Sequence, residues 1–308
     1  MFDIIGKRFR FLLISGVVIL ISVISLVVFG LKPGIEFSSG SMMTVSFDAE
    51  VEQGQLKQEL ANLGYANAII QKTGGGDFLI RTRELSGGDK AQIENALAAR
   101  FGHLTESEFF SVSPMIAAET AQNAAIAVAV AAVGVLLYVT WAFHRMPNPF
   151  RYGTSAIVAL IHDALVALGT FSILGGLLDW EINLMFITGI LAVIGYSVNN
   201  TVVVFDRIRE NLKEGVSSNS EVVVNHSLVE TLGRSLNTSL TTLFVVLALL
   251  LFVGVSIQNF AVVLLVGIIA GTFSSMCIAP TLLVVWEKGE WRRLIQWLPL
   301  PAVKGGSR

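Results

Sequence analysis

A single cysteine, Cys277, sits in an apolar run of this 308-residue chain, so an intrachain disulfide and a cysteine-built metal site are both excluded. Charge is also scarce. Asp, Glu, Lys and Arg make up 14% of the residues and apolar types 53%, against about 25% and about 45–50% in an ordinary soluble domain. That imbalance excludes a purely cytosolic enzyme. Proline is limited to 7 residues and no low-complexity segment interrupts the chain, which argues against disordered and fibrous architectures. A formal charge of −2 leaves no basic footprint for nucleic acid. The four histidines form no His-Glu-x-x-His pattern, so no metal site is expected.

What the chain has instead is long apolar runs. A spanning helix needs about 20 mostly apolar residues to cross roughly 30 Å of hydrocarbon. Six stretches qualify, at approximately 11–31, 124–143, 154–178, 182–205, 236–255 and 260–286. Lys7, Arg8 and Arg10 precede the first, which is too long for a signal peptide's apolar region and has no small-residue cleavage site, so it reads as an uncleaved anchor. Arg145, Arg151, Arg207, Arg209, Lys213 and Arg234 fall on the same side as both termini, whereas the short loops at 179–181 and 256–258 carry no Lys or Arg. Basic residues mark the cytoplasmic side. The expected layout is a cytoplasmic amino terminus at 1–10, an external domain at 32–123, five further spans within 124–286 and a cytoplasmic tail at 287–308.

The long segment between the first two spans alternates like a strand at Met43–Phe47 and then places Leu56, Leu60 and Leu63 at helical spacing. Residues 67–72 and 77–82 read as strands joined by a glycine-rich turn at 73–76, followed by a helix at 89–101 and a strand at 108–112. The order β-α-β-β-α-β predicts an α+β ferredoxin-like domain. It carries no arrangement of nucleophile, base and oxyanion donors, and His103 reads as a solvated surface residue. A handling or docking module is expected.

Polar groups at membrane depth are costly and mark candidate sites. His162 and Asp163 lie inside the third span, Asn199 and Asn200 near the cytoplasmic end of the fourth, and Arg234, Asn237 and Thr238 at the start of the fifth. The His-Asp pair suits a proton relay or a plain hydrogen bond to a neighbouring helix. Asn199 and Asn200 cannot titrate, and interhelical hydrogen bonding accounts for them as well as transport does. Arg234 by itself reads as a side chain snorkelling to the interface. Beyond the fourth span the helix continues through Asp206, Arg207 and Arg209. A second helix is predicted to start at Ser218–Glu221 with capping-box spacing, giving a cytoplasmic elbow over 206–233.

The run IGYSVNNTVVVFDRIREN at 194–211 resembles the fourth-span signature of the SecF family, bacterial protein-export subunits within the resistance-nodulation-division superfamily. So do GIEFSSG at 34–40, His162-Asp163, and RSLNTSLTT at 234–242. The resemblance implies six transmembrane helices forming half of a pseudo-symmetric core, a location in the bacterial plasma membrane, and a non-enzymatic role without a cofactor. It also implies partnership with SecD, the SecYEG channel and accessory membrane subunits, in a lipid bilayer, using the proton gradient to move preproteins late in export. Arg234 matches the family's basic residue, and Gly34, Glu36, Phe37 and Gly40 match the motif that anchors the external domain. Two departures stand out. The family carries a carboxylate where Asn200 stands, and its external motif has Asp and paired glycines where Glu36 and Ser39 stand. A proton-driven exporter of small molecules or lipids is the alternative within the superfamily, and an intramembrane hydrolase lacks a nucleophile.

Overall fold

The computed structural model describes residues 3–72, 76–252 and 255–290. The expected turn at 73–76, save Gly76, and the tail beyond 290 lie outside the described residues. The chain divides into two compact units. One comprises residues 32–127 and 181–187, and the other holds the remainder.

Helix α1 (Arg8–Val28) opens the chain, and a single helical turn, α2 (Ile35–Ser38), leads into the smaller unit. There β1 (Gly40–Phe47), α3 (Gln53–Asn62), β2 (Ile69–Lys72), β3 (Phe78–Thr82), α4 (Gly87–Phe101) and β4 (Leu104–Val112) follow in order. The sheet runs β2-β3-β1-β4, antiparallel throughout. This is the ferredoxin-like arrangement expected from the element order. Met43 and Val45 alternate inward from β1 and pack with Ile80, Phe78, Leu56, Leu60, Ile93 and Leu97. Each such side chain contributes roughly 1.5–3 kcal/mol by leaving water. Ser86 and Asp89 form a reciprocal capping box that starts α4. Strand β4 begins four residues earlier than the apolar pattern suggests. It is an edge strand, where charged residues such as Glu106 and Glu108 are tolerated.

The elements that follow are helical: α5 (Pro114–Ala142), α6 (Pro149–Leu178), α7 (Leu184–Glu214), α8 (Ser220–Phe252), α9 (Val255–Phe273), a π-helical turn at Ser274–Ile278, and α10 (Ala279–Lys288). Among the described residues six helices are long and apolar enough to cross a membrane, the last formed by α9, the π turn and α10 together. Most are longer than their apolar windows. α5 starts at Pro114 rather than near 124, α7 continues to Glu214, and α8 starts at Ser220. Backbone hydrogen bonding continues through polar turns that a hydropathy window does not register. The capping box expected at Ser218–Glu221 does not form. Asn219 Oδ1 instead accepts from the Glu221 amide at 3.1 Å, and the Glu221 carboxylate pairs with Arg8 and Lys288.

Helices α1 and α6 meet through small residues. Ser25 donates to the Gly169 carbonyl at 3.1 Å, and Ser172 donates to the Ser25 carbonyl at 2.7 Å. A Cβ on Gly169 would fall 2.4 Å from Ser22 Cβ, so only glycine permits this approach. Replacing Gly169 with valine should therefore lower the thermal midpoint of the detergent-solubilised protein by several degrees, whereas valine at the open Gly134 should cost much less. Ser39 is strained, with φ 65° and ψ 164°, a region occupied almost only by glycine. Ser39→Gly should stabilise the small unit by about 1 kcal/mol. The converse change, Gly40→Ala, should destabilise it, because a Cβ there would sit 2.5 Å from the Thr82 carbonyl oxygen. Limited proteolysis of the full chain reads both effects.

Candidate functional site

The polar residues of the spans converge on Asp163. Its side chain is 1% exposed and accepts three hydrogen bonds. His162 Nδ1 lies 3.0 Å from Oδ1, and the Ser197 and Ser274 hydroxyls donate to Oδ2 at 2.6 and 2.8 Å. Three helical segments are thus joined at one carboxylate: α6, α7 and the π turn. Ser275 extends the network, donating to the Gly271 carbonyl at 2.6 Å, while Thr201 donates to Ser275 at 3.0 Å. Gly271 permits the approach, since a Cβ there would be 3.1 Å from Ser197 Cβ.

The π turn explains how two consecutive serines reach the network. Pro280 has no amide hydrogen and so cannot donate to the carbonyl four residues earlier. The extra residue in the turn absorbs this defect and widens the helix at Ser274 and Ser275. On α7, Ser197, Asn200, Thr201 and Val204 are buried along one face at i, i+3, i+4 and i+7. Asn200 is 3% exposed, and its Nδ2 has no hydrogen-bond partner. Asn199, one position earlier, is exposed. Serines 197, 274 and 275 were not singled out from the sequence, because a hydroxyl carries no charge to flag it. The nearest available signal was the Ser-Ser pair five and six residues ahead of a proline within an apolar helix.

Arg234, Asn237 and Thr238 are exposed on α8. Arg234 lines a groove of about 460 Å³ together with Asp206, Arg207, Glu210, Glu230 and Thr231. The structure therefore groups Arg234 with the elbow's charges, while Asn200 lies in the buried layer. In the elbow itself, Arg207 grips Glu230 with two bonds of 2.7 and 2.8 Å and also bonds Glu210 at 2.5 Å. Arg209 pairs with Asp206 at 2.5 Å. Asn211 donates to Ser227 and Glu230 at 2.9 and 2.8 Å, which fastens α7 to α8. At the chain's start, Arg8 binds Glu221 and Glu290 at 2.8 and 2.7 Å.

In the smaller unit, the segment around Gly34 is bonded to the α6–α7 connector. The Gly34 amide donates to the Ile182 carbonyl, and the Ile182 amide donates to the Lys32 carbonyl, both at 2.8 Å. Gly34 and Gly40 are buried, Glu36 and Phe37 half-buried. Glu181, 5% exposed, pairs with Arg81 of β3. Burial pushes the Glu181 carboxyl above its ordinary range, against the pull of Arg81. Among the described residues, no group of three or more His, Cys, Asp and Glu residues gathers in a way that could hold a metal ion.

Two family models match the chain: "Protein export membrane protein SecD/SecF, C-terminal" over residues 92–289 and "SecD/SecF GG Motif" over 24–51. The protein translocase subunit SecF of Anaerolinea thermophila is 41% identical over 95% of this chain and 96% of its own length. SecF of Thermobaculum terrenum is 39% identical over 96% of this chain and 97% of its own length. The crystal structure of SecDF from Thermus thermophilus, described as a translocon-associated membrane protein, superposes with a TM-score of 0.84 at 31% identity. The superposition covers 93% of this chain and 39% of that one. With its six apolar helices, its ferredoxin-like unit and both sets of matched motifs, the chain belongs to the SecD/SecF family of protein export membrane proteins.

Proposed function

We propose that this chain is a SecF-like subunit of the Sec protein translocation machinery, working with a SecD partner to use the proton gradient in late preprotein export. The single observation that carries the reading is the near-complete alignment with SecF relatives along the whole chain. Physical features agree with it. The chain is a multi-pass membrane protein. The basic loops favour cytoplasmic termini in a bacterial plasma membrane, and an outer-side ferredoxin-like unit, where preproteins emerge, goes with that orientation. Contact with the SecYEG channel follows from the same role. Within that role, Glu36 and Phe37 mark where the outer domain is held at the membrane.

Partnership has a physical motive. Asn199, Asn237, Thr238 and Thr241 are exposed on α7 and α8. Amide side chains facing hydrocarbon are unfavourable, so a second polar-faced helical subunit is the fitting neighbour for this stripe. A free-standing exporter of small molecules would leave the stripe in lipid. Substituting Leu for both Asn237 and Thr238 should reduce co-purification of the SecD partner from native membrane several-fold, and full recovery would contradict the assignment.

Asn200 bears on the coupling step. An asparagine stays neutral at every pH, whereas an aspartate in this buried position gains or loses charge with its proton. Asn200→Asp should strengthen the gradient-dependent component of preprotein movement in inverted vesicles and leave the gradient-independent component unchanged. Equal gradient stimulation in both proteins would make position 200 a packing site.

A further inference from the structure

We infer that the His162–Asp163 dyad is the proton-binding site of this chain, with the imidazole taking up the proton at Nε2. The inference deepens the reading of the chain as a gradient-coupled subunit and rests on it only for the purpose the proton serves. The geometry fixes the chemistry. Both Asp163 oxygens are occupied as acceptors, by His162 Nδ1 on one side and by two serine hydroxyls on the other. With Asp163 ionised, Nδ1 carries the hydrogen of the neutral ring, which leaves the lone pair on Nε2. That Nε2 is buried, has no hydrogen-bond partner and belongs to a side chain only 7% exposed. That lone pair is the ring's one open position for an added proton.

The charge balance points the same way. With the ring neutral, the dyad carries one net negative charge at the centre of an apolar bundle, an arrangement that burial disfavours. A proton added to Nε2 forms one N–H bond from the ring lone pair, breaks none, and leaves an imidazolium against the carboxylate with no net charge. Release reverses the step. The change alternates the dyad between a charged and a neutral state at the carboxylate joining α6, α7 and the π turn, which is what a two-state element requires.

Few other groups compete. The α1 stretch from Phe11 to Val28 has no titratable side chain, and neither does α9. The π turn contributes Cys277 alone, and α10 has Glu287 and Lys288 at its far end. On α7, Tyr196 directs its hydroxyl to Ser239 at 2.9 Å, and the charged residues begin at Asp206. The π-turn aromatic neighbour, Phe273, lies 6.2 Å from the imidazole between ring centroids and carries no charge. Asn200, where the family resemblance places a carboxylate, offers only an unpartnered amide.

The test is nitrogen-15 NMR of the full chain, labelled at histidine and held in lipid nanodiscs, titrated over about pH 5 to 9. The His162 signals are assigned by their loss in His162→Gln. The expected result is a neutral Nδ1–H tautomer that converts reversibly to the doubly protonated ring, and a ring that stays neutral throughout in Asp163→Asn. A His162 that stays neutral over the whole range in the unmodified protein, or that rests as the Nε2–H tautomer, overturns the inference whatever export does. In vesicles containing the SecD partner, His162→Gln should lose gradient stimulation of export while still co-purifying with that partner. Full stimulation in that variant would also overturn it. A titrating His162 in a complex whose unmodified form shows no gradient stimulation upholds the proton site and overturns the coupling reading instead.

Discussion

A carboxylate buried among apolar helices must be paid for locally, and Asp163 sets that constraint for the helical unit. An aspartate at the centre of a membrane helix costs about 2.5–3.5 kcal/mol on insertion scales. Each hydrogen bond to a charged group returns about 1.5–3 kcal/mol. One donor would offset part of that cost, and the three donors around Asp163 are what allow the group to be held there at all. The requirement for those donors then dictates the surroundings. Ser197 fixes the rotation of α7, Ser274 calls for the π turn, and glycine at 271 avoids a tight 3.1 Å contact between a Cβ and Ser197.

The rest of the helical unit holds this layer at both ends. Small residues bring α1 onto α6, with Gly169 against Ser22 and Ser172 bonded to the Ser25 carbonyl. Far along α7 and α8, Arg207 and Asn211 on one helix and Ser227 and Glu230 on the other tie the hairpin. Arg8 fastens the chain's start to Glu221 and Glu290. The polar layer therefore sits in a frame tied at both ends, and a change of charge there would act on three connected segments together.

Much of this frame was readable in the residues. Apolar runs identified six spans, and the period-two and helical patterns of the inserted segment gave the ferredoxin-like order, because both report burial directly. Helix ends were less legible, since the polar turns at Pro114 and Ser220 are helical without being apolar. The pairing of Arg207 with Glu230 spans 23 residues and is set by how α7 packs against α8, which no local pattern encodes. The carboxylate His162 neighbours was visible, but its serine donors were not. Their role depends on a π turn whose cause, Pro280, lies several residues further on. Ser39 shows the opposite case, a residue type at odds with its backbone: the lost glycine was legible in the sequence, and the strained φ of 65° appears only in the structure.

The most direct measurement of whether Asp163 organises the helical unit is a double-mutant cycle on thermal or denaturant unfolding in detergent, using Asp163→Asn, Ser274→Ala and the pair. If Ser274 stabilises the protein through the Asp163 carboxylate, its loss should matter little once that charge is gone. The cycle should then show a coupling of at least about 1 kcal/mol. Additivity within about 0.3–0.5 kcal/mol, the behaviour of independent sites, would contradict the account.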